Sequence, residues 1–463
     1  MEKMFKPGDR IRCMGGTIKI VKWLGEGGQG DVYAVEQNGV QKALKWYKPT
    51  GMGKDPKAFY ENLKENYIRG NPDKTVFLWP EDITEWINGT FGYVMPLRPE
   101  NYHEIGEFLL TRIRFRSMRT VVDAAMNIVS AYRILHNAGY CYQDLNDGNF
   151  FIDPDTGNVL ICDNDNVSPE GRYTGIIGKP GYIAPEIILG QQEKNPKDRK
   201  MPDTYSDRFS MEIILFMIFT LTRPLEGKRT FKQPRTEAFM EQLYGSDPHF
   251  IMEDVHHPEY GPDEHNQKNA TMFWEALPAY MKELFLHAFS QESIRNPGTR
   301  PAEMVWLEAL VRFRSEIIHC SCGMDIFTKN GESTVCSRCG RQIHIPYRLS
   351  FTGCDYKIPG MPDSRIYRCQ VGPCDAKDAL LPVGRVLANQ ANPDQLGIRN
   401  LTQRYWNAET PSGRARRVAP QEIVPLIHGI KLMIGAEKIM IEDNYGGKEN
   451  GKWCLYELPG GRC

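Results

Sequence analysis

The sequence predicts an α+β fold, in which a β-rich small lobe precedes a helical large lobe, a cysteine-rich segment and a second, small β-rich domain. Residues 17–100 consist of strand-like runs around one helix, and helical patterns dominate residues 101–316. Cysteine pairs and short β-like runs follow, without a long helical period. Because single cores rarely grow beyond ~250–300 residues, a chain of 463 residues is expected to form several domains.

The composition is typical of a globular protein. Hydrophobic residues make up 41% of the chain, and 57 basic side chains nearly cancel 58 acidic ones, so we expect no nucleic-acid partner. The N-terminus lacks the apolar core of a secretory signal. The longest apolar run, residues 213–219, is far below the ~20 residues of a membrane span and predicts a buried helix. We therefore expect a cytoplasmic protein without membrane contact.

Local patterns predict individual elements. The helix over residues 56–69 is expected to stop at Gly70-Asn71-Pro72 and to use Phe59 and Ile68 as core contacts. Further elements are expected as helices over 118–136, 208–221 and 302–317 and as strands over 91–97, 158–162, 423–426 and 430–434, the last two joined by a turn at Gly429.

A glycine-rich stretch over residues 24–33 is followed by Ala43-Leu44-Lys45 at the distance of the next strand. Glycines let a backbone approach phosphates without a Cβ in the way. Val32 and Ala43 would pack on a flat base, while Lys45 would reach the phosphates. A solvent-exposed glycine hairpin is the alternative, but the order of residues favours a nucleotide site.

A second motif supplies acidic and amide side chains. Asp144 and Asn149 stand in an Asp-x-x-x-x-Asn pattern after a predicted helix, and the strand over 158–162 ends at Asp163. Phosphoryl transfer needs a carboxylate beside the acceptor hydroxyl and oxygen ligands for Mg²⁺. Unrelated turn residues would also include Asp and Asn, but their order after Lys45 favours catalysis.

These motifs resemble the eukaryotic-type (Hanks-like) protein kinase family over about residues 15–316. The resemblance implies a two-lobed kinase fold that binds ATP with Mg²⁺ or Mn²⁺. It assigns Lys45, Asp144, Asn149 and Asp163 to catalysis, with Asn149 and Asp163 as the Mg²⁺ ligands. It also assigns the nucleotide contacts to Leu24, Gly25, Gly27, Gly30, Val32, Ala43, Lys45, Met95, Leu97 and Phe151.

The resemblance further implies a helix glutamate that pairs with Lys45, for which we prefer Glu61 and keep Glu65 as the alternative. Glu186, in an Ala-Pro-Glu element, should pair with Arg300. The chain departs from the family at Gln143, which replaces the arginine before the catalytic Asp, and at Asn164, which replaces an aromatic residue. Control through that arginine or aromatic residue is therefore doubtful.

Two cysteine pairs follow the large lobe. Cys320-Ser321-Cys322 and Cys336-Ser337-Arg338-Cys339 are each followed by glycine, as in zinc knuckles. Four thiolates would bind a structural Zn²⁺ and close a small fold that resembles a zinc ribbon. His319 stands three residues before Cys322, so it remains an alternative ligand to Cys320.

The C-terminal region faintly resembles a forkhead-associated domain, with Arg385 and Asn400 as counterparts of its phosphothreonine-binding residues. We cannot find that family's Ser-x-x-His element, which indicates a degenerate interaction module. The expected domains are the kinase small lobe, the large lobe, the zinc ribbon and the β-rich domain over residues 1–98, 99–316, 317–348 and 349–463.

We therefore predict an ATP-dependent protein kinase of bacterial type that acts on serine or threonine of a protein substrate. Asn146, where serine/threonine kinases usually carry lysine, leaves the acceptor residue open. By resemblance to bacterial signalling modules, the expected partners are a von Willebrand A-type protein and a metal-dependent serine/threonine phosphatase. A nucleotide-binding pseudokinase scaffold and a small-molecule kinase are the alternatives.

Overall fold

The computed structural model describes residues 4–53, 55–172, 178–193, 195 and 199–444. The chain forms two compact units. The first contains the chain up to Arg314 and the segment Cys374–Leu380, and the second contains Ser315–Pro373 and the chain from Leu381 onward. The returning segment packs on the first unit, where Arg133 Nη2 donates to the carbonyl of Cys374 at 3.1 Å.

The first unit begins with a six-stranded antiparallel sheet in the order β1-β2-β3-β4-β6-β5. The hairpin between β3 and β4 turns at Asn38 and Gly39, which both have positive φ, as a tight two-residue hairpin turn requires. Its register places Val32 opposite Lys45. The strands are β1 (Arg10–Cys13), β2 (Gly16–Glu26), β3 (Gly30–Gln37), β4 (Val40–Tyr47), β5 (Asp82–Ile83) and β6 (Gly92–Pro96).

One helix, α1 (Pro56–Arg69), accompanies this sheet, as predicted. The Asp55 side chain caps it by accepting from the Ala58 amide at 3.0 Å. Its buried stripe follows the helical period and consists of Phe59, Asn62, Leu63 and Asn66. Ile68 is 69% exposed, so the prediction that it is a core contact was wrong.

Helices dominate the rest of the first unit. The apolar run at 213–219 lies inside α5 and is buried, as expected. No helix in the described part of the chain combines the length and apolar character that a membrane crossing needs. The helices are α2 (Ile105–Leu109), α3 (Met118–Asn137), α4 (Pro185–Gly190), α5 (Thr204–Thr220), α6 (Lys228–Lys232), α7 (Glu237–Glu241), α8 (Lys268–Ala276), α9 (Ala279–Ala288), α10 (Gln291–Arg295) and α11 (Glu303–Glu316).

Two small sheets in this helical region position the loops that carry the acidic motifs. One has the order β10-β9-β7, and the other pairs β11 with β8. Their strands are β7 (His103–Glu104), β8 (Tyr140–Tyr142), β9 (Phe150–Ile152), β10 (Val159–Ile161) and β11 (Val167–Pro169).

The second unit contains two short hairpins and two larger antiparallel sheets that share one apolar core. The predicted strands at 423–426 and 430–434 form, but they pair in different sheets, so Gly429 does not close a hairpin between them. The hairpins are β12 (Ile317–His319) with β13 (Asp325–Phe327) and β14 (Thr334–Val335) with β15 (Gln342–Ile343). The larger sheets contain β16 (Tyr347–Phe351), β17 (Lys357–Pro359), β18 (Arg365–Tyr367), β19 (Pro382–Ala388), β20 (Leu396–Asn400), β21 (Trp406–Glu409), β22 (Ala415–Val418), β23 (Ile423–Pro425), β24 (Lys431–Ile434) and β25 (Glu437–Asp443).

Candidate active site

The glycine-rich stretch forms the turn between β2 and β3. The amide of Gly27 donates to the carbonyl of Gly30 at 2.7 Å and closes the turn. A Cβ on Gly25 would meet open space, so this side of the turn leaves room for a ligand. A Cβ on Gly30 would lie 2.2 Å from the Trp46 carbonyl oxygen, so Gly30 is needed for the close approach of β3 to β4.

The predicted base-contacting side chains mostly come together. Val32, Ala43, Met95, Leu97 and Phe151 belong to one apolar cluster, which the sequence analysis places around the base. The same cluster also contains side chains that the sequence did not single out, among them Leu160 on β10 and Cys162 directly after it.

Two side chains lie at the border of this cluster. Leu24 is 41% exposed and lies outside the cluster. The Arg98 guanidinium covers the ring of Phe151 at 4.4 Å, so the connection after β6 covers one side of the cluster.

Lys45 lies on β4 and is almost fully buried, with its ammonium group surrounded by acceptors. Nζ lies 3.0 Å from Asp163 Oδ1, 3.0 Å from Asp165 Oδ2 and 2.7 Å from Gln29 Oε1. Burial alone would lower the pKa of Lys45, but Asp163 and Asp165 more than offset it and raise it. Lys45 is therefore a fixed cation beside the apolar cluster.

Asp163 follows β10 in a left-handed backbone conformation, with φ 56°. Asn164, next in the chain, donates from Nδ2 to the carbonyls of Leu78 and Ile161 at 3.0 and 2.8 Å. These two bonds fix the turn that an aromatic side chain would otherwise hold by packing. Desolvation and the neighbouring Asp165 raise the pKa of Asp163, although Lys45 acts against them.

Asp144 and Asn149 lie in the loop between β8 and β9. The Asn149 carbonyl accepts from the Cys162 amide at 2.9 Å, which ties this loop to the strand that delivers Asp163. Burial first, and then the charge of Asp163, raise the pKa of Asp144 to about 6. The loop and the end of β10 therefore bring the charges of Asp144 and Asp163 together, while Asn149 ties the loop to the strand.

Neither glutamate of α1 contacts Lys45, which corrects the pairing that we expected for Glu61. Glu61 is exposed, and Glu65 forms ion pairs with Arg69 and Arg172. The physical reason is helical phase, because Glu61 and Glu65 fall outside the buried stripe that runs through Asn62.

The Ala-Pro-Glu element forms the ion pair that was expected. Arg300 Nη1 and Nη2 lie 2.7 and 2.8 Å from the two carboxylate oxygens of Glu186, and the arginine side chain is fully buried. Gln143 donates to Ser168 and to the Arg172 carbonyl, so a neutral amide holds the segment after β11 at the position of the missing arginine.

In the second unit, Cys320, Cys322, Cys336 and Cys339 form one cluster, with their sulfur atoms all within 4.8 Å of one another. The Cys320–Cys339 and Cys322–Cys336 pairs are 3.7 and 3.6 Å apart. Tetrahedral Zn²⁺ with ~2.3 Å bonds to sulfur requires edges of about 3.8 Å, so the cluster fits the ion. His319 lies outside it and bonds to Asp325 at 2.9 Å.

The two residues with a forkhead-associated resemblance are both engaged within the second unit. Asn400 is fully buried and donates to the carbonyls of Arg404, Val418 and Ala419. Arg385 forms an ion pair with Asp363. Asn400 therefore stabilises loops of the β-rich domain.

In a comparison with known families, residues 87–282 match the family described as the protein kinase domain. The matched segment contains Asp144, Asn149 and Asp163 but begins after the glycine turn and Lys45. The matched segment is thus similar to protein kinases, and the structure adds the strands that precede it.

Curated relatives and solved structures are also protein kinases. Protein kinase C delta type from Mus musculus is 38% identical over 81 residues, which are 17% of this chain and 12% of the relative. Serine/threonine-protein kinase Sgk1 from Fundulus heteroclitus is 27% identical over 203 residues, 39% of this chain and 41% of the relative. The structure of the Mycobacterium tuberculosis PknI kinase domain matches with a TM-score of 0.44 and 17% identity, covering 66% of this chain and 98% of that one.

These matches cover limited parts of the relatives. The chain spans 12% to 18% of the length of the protein kinase C delta relatives that it matches.

Proposed function

We propose that this protein is an ATP-dependent protein kinase that transfers the γ-phosphoryl group to a serine or threonine hydroxyl. The observation that carries the proposal is the convergence of Lys45, Asp163 and Asp144 beside an apolar cluster and an open glycine turn. The similarity of residues 87–282 to protein kinase domains supports it. The buried Glu186–Arg300 pair favours a protein acceptor, since the Ala-Pro-Glu element belongs to the peptide side of that family.

The residues present fit a divalent cation bound with ATP. Asp163 offers carboxylate oxygens and Asn149 an amide oxygen, the hard ligands that Mg²⁺ or Mn²⁺ prefers. The two carboxylates at Lys45 exceed its single positive charge, which leaves negative charge for a cation to neutralise. When bound, the ion would offset charge on the phosphate oxygens.

The chain's own groups would perform the following step. Lys45 holds phosphate oxygens, and Asp144 orients the acceptor hydroxyl and takes its proton. The hydroxyl oxygen forms a bond to the γ-phosphorus while the bond from that phosphorus to the β–γ bridging oxygen breaks, releasing ADP. The raised pKa of Asp144, about 6, suits it to accept that proton.

The test is transfer of labelled γ-phosphate from ATP to the protein itself and to a generic protein substrate, with Mg²⁺ or Mn²⁺. Asp163→Ala should lower transfer about 1,000-fold, and Asp155→Ala, an exposed aspartate in the turn after β9, should leave it unchanged. Wild-type activity that persists in Asp163→Ala would refute the assignment. Nucleotide binding without labelled protein would favour the scaffold or the small-molecule kinase.

We also propose that the four-cysteine cluster is a structural zinc ribbon. The sulfur spacing supports this, and backbone amides at Cys339 and Arg338 lower the pKa of Cys336 to about 6, which favours the thiolate. Elemental analysis should find about one zinc per chain. Cys320→Ser should lose the metal and His319→Ala should keep it, and the reverse would assign the site to His319.

We further propose that the β-rich domain is an interaction module and that the protein acts in the cytoplasm within a bacterial signalling module. The engagement of Asn400 in its own domain supports a degenerate rather than a phosphothreonine-reading site. A von Willebrand A-type protein and a metal-dependent phosphatase remain the proposed partners. Affinity purification of the full chain from its host would test them, and recovery of neither would refute this part.

A further inference from the structure

Asp165 occupies the interior of the small lobe beside Lys45. It comes from the short turn over Asn164–Asn166 and its side chain is fully buried. Three donors converge on its carboxylate: Lys45 Nζ at 3.0 Å, Tyr47 OH at 2.5 Å and Tyr93 OH at 3.2 Å. A buried carboxylate with this many donors, one of them cationic, is held in one orientation.

The two tyrosines are placed by the sheet. Tyr47 lies two residues after Lys45 on β4, and Tyr93 lies directly opposite Lys45 on β6. Burial, followed by the charge of Asp165, raises the pKa of both phenols well above their usual range, so they remain donors. The carboxylate therefore binds to two neighbouring strands through three side chains.

Helix α1 presents amides where a partner for Lys45 was expected. Asn62 and Asn66 lie on its buried face, and both donate to the carbonyl of Val167, at 2.9 and 2.7 Å. These bonds attach α1 to the backbone two residues after Asp165. Helix α1 thus holds the backbone next to the turn in place through these two bonds, and the turn supplies the carboxylate of Asp165 to Lys45.

We propose that Asp165 is the positioning residue that holds Lys45 in place for the nucleotide phosphates, taking the role that a glutamate of α1 was expected to have. The coupling of the glycine turn to the same place supports this, because Gln29 accepts from Lys45 at 2.7 Å and donates to Asn166 at 3.4 Å. The orientation of Lys45 then depends on the Asp163–Asn166 turn and does not require a charged contact from α1. This inference rests on the proposed kinase function.

A double-mutant cycle on the full chain tests the proposal. Lys45→Met, Asp165→Asn and the double variant are compared for affinity to a fluorescent ATP analogue and for kcat and KM in phosphate transfer. Each single variant should lose about 100-fold in kcat/KM, carried mainly by kcat, because the phosphates lose their alignment. The double variant should be no worse than either single one, since both remove the same contact. Additive losses would mean that Asp165 and Lys45 contribute independently to transfer and would overturn the proposal.

The alternative glutamates give a second test with surface variants. Glu61→Gln and Glu65→Gln should each change kcat/KM by less than twofold, and a loss as large as that of Lys45→Met would overturn the proposal. If Asp165→Asn does not fold, the pair Tyr47→Phe and Tyr93→Phe replaces it, with an expected loss of about tenfold; unchanged kinetics would count against the proposal.

Failure of the proposed function gives a different result. A wild-type chain that binds the ATP analogue but transfers no phosphate would refute the kinase activity, while the affinity cycle would still decide the role of Asp165. A wild-type chain that binds no nucleotide would overturn both.

Discussion

Two buried ionic clusters in the first unit differ in their balance of charge. Around Lys45, one cation faces the carboxylates of Asp163 and Asp165. The second cluster lies at the ends of α3, α5 and α11 and contains equal numbers of positive and negative groups. It consists of the cations His136 and Arg208 and the carboxylates Asp207 and Glu303, joined by contacts of 2.8 to 3.0 Å.

The two carboxylates of the second cluster differ in their pKa values. Burial would raise the pKa of Glu303, but His136 and Arg208 lower it to about 2, whereas burial raises the pKa of Asp207 to about 6 although His136 acts against it. Asp163 resembles Asp207, because its pKa is raised despite its contact with Lys45, so the clusters differ in their count of charges. A buried cluster with equal numbers of positive and negative charges stabilises the fold, whereas the excess negative charge around Lys45 favours the binding of a cation. The predictions below test this division of roles.

The largest effect on stability should come from removing one carboxylate charge from the cluster around His136. Glu303→Gln leaves His136 and Arg208 without their shared carboxylate, and breaking a buried ion pair on one side costs about 3–5 kcal/mol in the free energy of unfolding. Urea unfolding followed by tryptophan fluorescence measures it. Glu308→Gln, an exposed neighbour on α11, should stay within ~0.5 kcal/mol. A loss below 1 kcal/mol for Glu303→Gln would contradict the structural role.

The next effect is a pH dependence from His136. Burial would lower its pKa, but Asp207 and Glu303 raise it to about 9 from the model-compound value of 6.5. The folded state therefore keeps the proton longer than the unfolded state, and the stability that this contributes is complete below pH 6.5 and lost as the pH rises through 9. The stability advantage of wild type over His136→Gln should shrink by about 3 kcal/mol between pH 6 and pH 10.

Urea titrations of both proteins across this range give the difference directly. Glu212, whose pKa burial raises to about 8, contributes to both proteins and cancels in the comparison. Asp207, whose pKa burial raises to about 6, contacts His136 directly, so its own titration is part of the measured difference. A difference that does not vary with pH would mean that His136 is neutral in the fold.

A smaller effect should come from ligand binding at the cluster around Lys45. Mg²⁺ with a non-hydrolysable ATP analogue, at a hundredfold excess over Kd, should stabilise wild type by about 2–3 kcal/mol through mass action. Asp163→Asn should lose this gain, and Asp155→Asn should keep it. Thermal unfolding with and without ligand measures both, and an equal gain in Asp163→Asn would remove Asp163 from the cation site.

The positions of the proposed catalytic residues were largely predictable because their motifs have fixed spacing. Asp144, Asn149 and Asp163 follow short buried strands, and the strands place them together without help from distant packing. The bounds of α1 also followed from sequence, since Pro56 opens it and Gly70 ends it. The Glu186–Arg300 pair was predictable only through the family resemblance.

The partner of Lys45 was not predictable from spacing alone. Glu61 and Glu65 share a face, but which face of α1 is buried depends on its packing against the sheet and the 164–166 turn. A signal was present in the sequence, because Phe59, Asn62, Leu63 and Asn66 form a regular stripe that leaves out both glutamates. The additional aspartate at 165 could then have been considered as the missing carboxylate.

The smallest predicted effect is a difference in stability between variants of the two carboxylates around Lys45, Asp163 and Asp165. Without metal or nucleotide, Asp163→Asn should stabilise the protein by about 1 kcal/mol, because it relieves repulsion with Asp165 while Lys45 keeps that carboxylate as its partner. Asp165→Asn should destabilise it, because the amide offers Lys45, Tyr47 and Tyr93 one acceptor oxygen in place of two and no negative charge. Urea unfolding of the metal-free proteins distinguishes the two signs. Destabilisation by both variants would mean that the cluster serves the fold like the one around His136, whereas opposite signs would mean that Asp163 is retained for a ligand and Asp165 for Lys45.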